Sequence, residues 1–71
     1  MFVPKTEEIR KRRLKANLSR KELSYLAGIA NNAIFRIETG RTKQTIPIRA
    51  KAIADALHCK VEDIFTETKG A

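Results

Sequence analysis

The stretch LSRKELSYLAGIANNAIFRIETGR, residues 18–41, decides the fold of this 71-residue chain. Ser19 and Glu22 have the spacing of a capping box, in which each side chain accepts a hydrogen bond from the other residue's backbone, and this predicts a helix start. Gly28 predicts the end of that helix, because glycine readily adopts the left-handed conformation that terminates helices. A second helix is predicted over residues 30–39 and ends at Gly40. The stretch therefore predicts two short helices joined by a tight turn.

Apolar residues recur at helical spacing on one side of both predicted helices. The positions predicted to face inward are Leu23, Leu26, Ala27, Ala33, Ile34 and Ile37. Ile29 is predicted to fill the junction between the two helices. This arrangement leaves Asn31, Asn32 and Arg36 together on the outer face, where they can contact a partner.

The rest of the chain also shows helical patterns, and no segment alternates convincingly with a period of two. One helix is predicted over residues 6–16 with Thr6 as its N-cap, and a short last helix contains Val61, Ile64 and Phe65. Between them Pro47 suits the first turn of a helix. The buried positions predicted for that helix are Ala50, Ile53, Ala54 and Leu57. We therefore predict a compact all-α domain of five helices over residues 1–71, with its core in residues 6–65 and a frayed tail at 66–71.

The charge of the chain favours a polyanionic partner. Its 15 Lys and Arg residues against 8 Asp and Glu residues give a formal net charge of +7. Basic residues concentrate in residues 1–21 and 36–51, whereas residues 55–67 are mainly acidic, so one end of the molecule would face an anion. No apolar run approaches the roughly 18 residues of a membrane span, and the N-terminus lacks the apolar core of a signal peptide. We expect a cytoplasmic, nucleoid-associated protein with no membrane partner.

Nothing in the sequence favours catalysis or a bound cofactor. The chain has one histidine, His58, and one cysteine, Cys59. Neighbouring side chains point in different directions, and a zinc site needs three or four ligands. Cys59 is predicted to be a small buried apolar residue, with no partner for an intrachain disulfide. We expect no metal, no cofactor, no catalytic residue and no small-molecule ligand.

Three stretches of the chain resemble the phage repressor and Cro helix-turn-helix family, also called the xenobiotic-response-element type. They are LSRKELSYLAGI (18–29), NAIFRIETGR (32–41) and AIADALHCKVEDIF (52–65). The resemblance covers about 60 of the 71 residues in the family's order. It implies a lambda-repressor-like domain whose helix-turn-helix unit spans residues 19–38, with its third helix in the DNA major groove and its second across the backbone. The chain departs from the family at Ala30, where a serine or threonine caps the third helix, and at His58, where glycine is common.

The resemblance also implies roles for individual residues. Base reading is expected from Asn31, Asn32, Phe35 and Arg36. Phosphate binding is expected from Arg10, Ser19, Arg20, Arg41, Thr42 and Lys43. Arg13 and Glu38 are expected to form a buried ion pair that supports the fold. Phe35 is an exposed apolar residue that DNA, a second subunit or Tyr25 could cover, and the sequence leaves these alternatives open.

The implied function is that of a sequence-specific regulator of transcription, a small repressor of the Cro type. It would bind double-stranded DNA at a palindromic operator as a homodimer, with the dimer surface near Ile64 and Phe65. One alternative is an antitoxin-like or coactivator module whose main partner is a protein, although a six-residue tail is short for a toxin-wrapping arm. Another is a non-specific nucleic-acid or RNA binder, although the four scattered aromatic residues form no evident stacking platform.

Overall fold

The structure is a computed structural model and describes residues 1–68. These residues form five helices: α1 (Thr6–Lys15), α2 (Arg20–Leu26), α3 (Ala33–Glu38), α4 (Pro47–Ala56) and α5 (Val61–Ile64). They also form two short strands, β1 (Phe2–Pro4) and β2 (Phe65–Glu67). The prediction of five helices is confirmed, whereas the prediction that the fold contains helices alone is wrong. None of the helices in residues 1–68 has the length and apolar character needed to cross a bilayer.

The two strands tie both ends of the described chain to the core. β1 pairs antiparallel with β2, and Phe2 also exchanges backbone hydrogen bonds of 2.9 and 2.7 Å with Thr45. The Thr68 N–H group donates to the Met1 carbonyl at 2.9 Å. Residues 66–68 are therefore paired, contrary to the frayed tail that we predicted, while residues 69–71 lie outside the described residues. Strands of three residues are too short to show a period of two in the sequence.

The core contains side chains from every helix. Its buried apolar residues are Ile9, Leu23, Ile34, Ile37, Ala50, Ile53, Ala54, Leu57, Ile64 and Phe65. Leu26 was predicted to face this core and instead is 56% exposed, and Ser24 is fully buried in α2. The inward face of α2 is formed by Leu23, Ser24 and the half-buried Ala27. Leu26 lies outside this face and is therefore exposed. Ile29 and Cys59 are partly buried against the core, so Cys59 is less buried than predicted.

The helix ends follow the predicted chemistry at most positions. Asn17 and His58 adopt left-handed backbone conformations, with φ of 58° and 56°. Asn tolerates this region better than other residues with a Cβ, which is why α1 can end there. The N-cap prediction for Thr6 is wrong: Lys5 occupies that position and Thr6 is the first residue of α1. Pro47 begins α4, as predicted.

A buried ion pair joins α1 to the end of α3. Arg13 donates from Nε to Glu38 Oε2 at 2.7 Å and from a terminal nitrogen to Glu38 Oε1 at 3.1 Å. A further Arg13 nitrogen donates to the Leu18 carbonyl at 2.8 Å, at the turn before α2. Both side chains are almost fully buried. The pair predicted from the sequence is therefore present, and it holds three segments of the chain together.

We predict that Arg13→Met lowers the free energy of unfolding by about 3–5 kcal/mol, because it leaves the Glu38 carboxylate buried without its main partner. A core in a chain of this size rarely supplies more than about 3–5 kcal/mol, so the variant should be unfolded at growth temperature. Thermal and urea denaturation measure the change. The control is Lys51→Met, which removes an exposed ion pair with Asp55 and should cost less than about 1 kcal/mol. A melting curve of Arg13→Met that coincides with that of the wild type would contradict the prediction.

Candidate nucleic-acid interface

The start of α2 is fixed by the predicted capping box. The Ser19 N–H group donates to Glu22 Oε1 at 2.8 Å, and the Glu22 N–H group donates to Ser19 Oγ at 2.9 Å. The Ser19 N–H group, and to a smaller extent its hydroxyl, lower the pKa of the Glu22 carboxyl. Both residues are exposed. The capping box thus fixes the backbone around Ser19 and Arg20 at the surface.

The turn between α2 and α3 is organised by buried Ser24. Gly28 turns the chain with φ of 71°, and the Ile29 N–H group donates to the Ser24 carbonyl at 3.0 Å. The Ser24 hydroxyl donates to the Arg20 carbonyl at 2.9 Å and accepts from the Ile34 N–H group at 3.3 Å. The sequence predicts that the first backbone donors of α3 lack a side-chain partner, because Ala30 stands at the usual cap position. Ser24 supplies one such partner from the neighbouring helix.

The helix α3 is shorter than predicted, and this changes the position of the asparagines. It begins at Ala33, so Asn31 and Asn32 lie in the turn before it and not in its first helical turn. Asn32 occupies the N-cap position, with φ of −106°, but its side chain makes no capping hydrogen bond. Both side chains are exposed, as is that of Arg36. Three of the four predicted base readers, Asn31, Asn32 and Arg36, are therefore exposed on the α2–α3 unit.

These three residues border two different surface grooves. Asn31 lines a largely apolar groove with residues of α2 and the turn before it: Leu18, Lys21, Glu22, Tyr25 and Leu26. Asn32 and Arg36 line a second groove, which continues through Ala30, Ala33, Ile37, Thr42 and Arg49. The sequence predicts that all three lie together. The structure brings Asn32 and Arg36 to one groove and places Asn31 in the other, towards α2.

The second groove contains a residue that the sequence-based prediction missed. Arg49 lies in the first turn of α4, two residues after Pro47, and is exposed. Its only sequence signal is that it belongs to the basic run of residues 36–51. The groove joins Arg49 to Arg36 and Thr42, so three elements contribute to this surface.

The Phe35 ring lies beside two guanidinium groups. The Cζ atoms of Arg20 and Arg41 are 5.3 and 5.9 Å from the centroid of the Phe35 ring. Arg20 Nε also donates to Glu38 Oε1 at 3.2 Å. Phe35 is 38% exposed, whereas Tyr25 is 79% exposed. The sequence left DNA, a second subunit or Tyr25 as residues or partners that could cover the Phe35 ring. Tyr25 is not what covers it in the structure, where the two arginines cover part of the ring.

The remaining candidates for phosphate binding are spread over the surface. Arg41 and Thr42 donate through their N–H groups to the Arg36 carbonyl at 2.9 and 3.0 Å, which fixes the backbone after α3. Lys43 is exposed in the loop that follows. Arg10 is exposed on α1, and no ion pair or hydrogen bond of residues 1–68 links it to the other candidates. Within these residues, no three His, Cys, Asp or Glu side chains cluster as metal ligands would.

Comparison with known proteins identifies similar chains. The family model described as helix-turn-helix matches residues 9–64. The P22 c2 repressor protein, in a crystal structure with synthetic operator 9T, is 30% identical with a TM-score of 0.72, and the match covers 80% of this chain and 85% of that chain. The restriction-modification controller protein C.AhdI from Aeromonas hydrophila is 21% identical with a TM-score of 0.75, covering 82% and 86%, and supports the fold alone. No curated protein sequence matches this chain significantly.

We predict that Glu22 titrates below the usual range of a glutamate, because the Ser19 N–H group and hydroxyl stabilise its charged form. Since the folded-state pKa is lowered, the contribution of this carboxylate to stability is present above the unfolded-state pKa and is lost as the pH falls through the lowered value. An NMR titration of the side-chain carboxyl measures the pKa. In Ser19→Ala the hydroxyl is lost and the N–H group remains, so the pKa of Glu22 should rise part of the way towards the ordinary value of a glutamate. An identical midpoint in both proteins would contradict the role of the hydroxyl.

Proposed function

The chain belongs to the helix-turn-helix family of the phage repressor and Cro type, and from this premise we propose that it regulates transcription by sequence-specific binding to double-stranded DNA. The exposure of Asn31, Asn32 and Arg36, which border two grooves of the α2–α3 unit, is the observation that carries the proposal. Leu23, Ile34 and Ile37 of the same unit are buried, so the orientation of α2 and α3 is fixed. In this family geometry α3 lies in the major groove and α2 crosses the backbone.

The exposed side chains have the chemistry that base edges require. An asparagine amide can make paired hydrogen bonds with N6 and N7 of adenine, and an arginine guanidinium can do so with O6 and N7 of guanine. Each such pair is worth about 1–3 kcal/mol of discrimination against the wrong base. Because Asn32 and Arg36 line one groove, we propose that they read neighbouring base pairs, while Asn31 reads from the side of α2.

Basic residues around this group supply the phosphate contacts that set register and affinity. Arg20 at the start of α2 and Arg41 after α3 both lie beside Phe35, so they bracket the outer face of the unit. Lys43, Thr42 and Arg49 extend the surface towards α4, and Ser19 extends it at the start of α2. We place Arg10 at the edge of this surface, as a peripheral phosphate contact.

The mode of action that we propose is occupancy of an operator that excludes polymerase. The P22 c2 repressor, 30% identical to this chain, was crystallised with synthetic operator DNA. One α3 helix reads about half a site, so we propose a homodimer on a palindromic operator with half-sites about 10–10.5 base pairs apart, or a multiple of that.

The dimer surface predicted at Ile64 and Phe65 is wrong, because both side chains are fully buried in the core. Exposed apolar side chains lie instead at the start of α4, at Ile46 and Ile48, and Ile48 is 77% exposed. Their neighbour Arg49 lines the same groove as Arg36. A second copy placed against these isoleucines would lie next to the DNA-facing surface, as a two-fold dimer on DNA requires.

The second candidate function is a module whose main partner is a protein. Exposed Tyr25 and Leu26 favour it, because with Leu18 they line an apolar groove on α2. Exposed apolar patches often mark protein contacts. In this reading the basic surface would contact an acidic partner, and the preference for one DNA sequence would be absent.

Selection of binding sites from random duplex DNA, followed by competition against bulk DNA, tests the proposal. The expected result is a palindromic site that the wild-type protein prefers by about 10³-fold or more at physiological salt. Equal affinity for the selected and bulk DNA would favour a non-specific binder. No measurable DNA binding would favour the protein-interaction module.

Variants of the base-reading and phosphate-binding residues should behave differently. Asn31→Ala and Arg36→Ala should relax the preference at one base position each, at a cost of about 1–3 kcal/mol on the preferred site. Lys43→Ala should weaken all sequences alike and reduce the slope of log K against log salt by about one. Binding isotherms at several salt concentrations measure both effects. An Asn31→Ala variant that selects the wild-type site unchanged would contradict its assignment as a base reader.

A further inference from the structure

Phe35 connects two charged side chains that are far apart in the sequence. The ring projects from the outer side of α3, with the guanidinium of Arg20 at 5.3 Å from its centroid and that of Arg41 at 5.9 Å. Cations within about 6 Å of an aromatic centroid are attracted by the electron-rich face of the ring. The ring therefore holds one arginine from each end of the helix-turn-helix unit.

The Arg20 side chain is held at a second point. Its Nε donates to Glu38 Oε1 at 3.2 Å, and the same carboxylate accepts from Arg13. The Glu38 side chain is almost fully buried, whereas the Arg20 side chain is about half exposed. Arginine carries five N–H donors in a planar fork, so engaging Nε leaves the donors of the terminal nitrogens available for a phosphate. Arg20 is thus anchored at its inner edge and open at its outer edge.

Arg41 is positioned through its backbone. Its N–H group donates to the Arg36 carbonyl at 2.9 Å, and Gly40 precedes it with φ of 81°. Thr39, the C-cap residue that follows α3, donates its hydroxyl to the Phe35 carbonyl at 2.8 Å. The path of the chain after α3 therefore returns the Arg41 side chain towards the ring of Phe35.

Pre-placed arginines bind phosphate better than free ones. A long side chain loses rotamer freedom when it binds, and a side chain that is already held loses less. Two like charges near each other also raise the local potential for an anion. An aromatic ring can hold both guanidiniums because it attracts each without using the N–H donors that a phosphate needs.

We propose that Phe35 is a positioning residue for DNA phosphate contacts: its ring holds Arg20 and Arg41 in place to bind the DNA backbone beside α3. The proposal rests on the proposed function and revises the role of Phe35 predicted from the sequence, which was contact with a base. The two guanidiniums cover part of the ring. Phe35 therefore contributes to affinity indirectly, by positioning the two arginines.

The test compares variants that keep or remove the ring. Phe35→Leu removes the aromatic ring and Phe35→Tyr keeps it. Phe35→Met is a second non-aromatic variant, for use if Phe35→Leu is unfolded at the assay temperature. Phe35→Leu should weaken binding to the selected operator and to a scrambled duplex by the same factor, about tenfold. Phe35→Tyr should bind within about twofold of the wild type. Site selection should return the wild-type sequence with all three variants.

A double-mutant cycle identifies the residues through which Phe35 acts. Arg41→Ala should clearly weaken operator binding when Phe35 is present. The same substitution should reduce the binding free energy much less in the Phe35→Leu background. The control is Lys43→Ala, whose cost in binding free energy should be the same in both backgrounds, because Arg20 and Arg41 are the cations that lie over the ring within the described residues. Thermal melting of each variant confirms that the proteins are folded at the assay temperature.

Two results would overturn the proposal while the wild-type protein still prefers its operator. One is a changed base preference in the site selected by Phe35→Leu or Phe35→Met, which would make Phe35 a base reader. The other is a double variant whose loss of binding free energy equals the sum of the losses in Phe35→Leu and Arg41→Ala. If instead the wild-type protein prefers no sequence over bulk DNA, the proposed function fails, and the role of Phe35 fails with it.

Discussion

The buried carboxylate of Glu38 is the constraint on which the rest of the structure depends. An unpaired charge in a protein interior is very unfavourable, so the carboxylate must keep its partners in place. Arg13 satisfies it from α1, with hydrogen bonds of 2.7 and 3.1 Å, and also donates to the Leu18 carbonyl before α2. One side chain thereby fixes the orientation of α1, of the start of α2 and of the end of α3. The packing of Ile34 and Ile37 then follows, because α3 can rotate little without breaking the pair.

The same carboxylate connects the fold to the proposed interface. Arg20 shares it with Arg13, so two guanidiniums surround one negative charge and the cluster carries a net positive charge at the surface. Arg20, one member of this Arg13–Glu38–Arg20 cluster, also contacts the Phe35 ring, and the same ring contacts Arg41. Under the proposed function, stability and DNA affinity are coupled in this chain, since a change at Glu38 would alter both the core and the position of Arg20, a proposed phosphate contact.

Most of the fold could be predicted from local chemistry, and the exceptions have physical causes. The Ser19–Glu22 capping box, the turn at Gly28, the start of α4 at Pro47 and the left-handed Asn17 all depend on a few neighbouring residues. The Arg13–Glu38 pair needed the family resemblance. Tertiary contacts decided the rest: Ser24 is buried in place of Leu26, because its hydroxyl binds the backbone of α2 and α3. The Phe35–arginine contacts and the groove position of Arg49 depend on side chains that meet only after folding.

The short length of α3 explains why those contacts matter for recognition. Isolated helices of fewer than about 12–15 residues are marginal in water, and α3 has six residues. Its own hydrogen bonds cannot hold it rigid, so its geometry must come from its surroundings. Ser24 supplies a partner at its start, and Glu38 fixes its end. The exposed asparagines precede this helix in a turn, and their positions depend on the same two anchors. Base reading requires side chains held within a fraction of an ångström. If Asn31, Asn32 and Arg36 read bases as we propose, the buried polar contacts behind α3 contribute to specificity together with those residues.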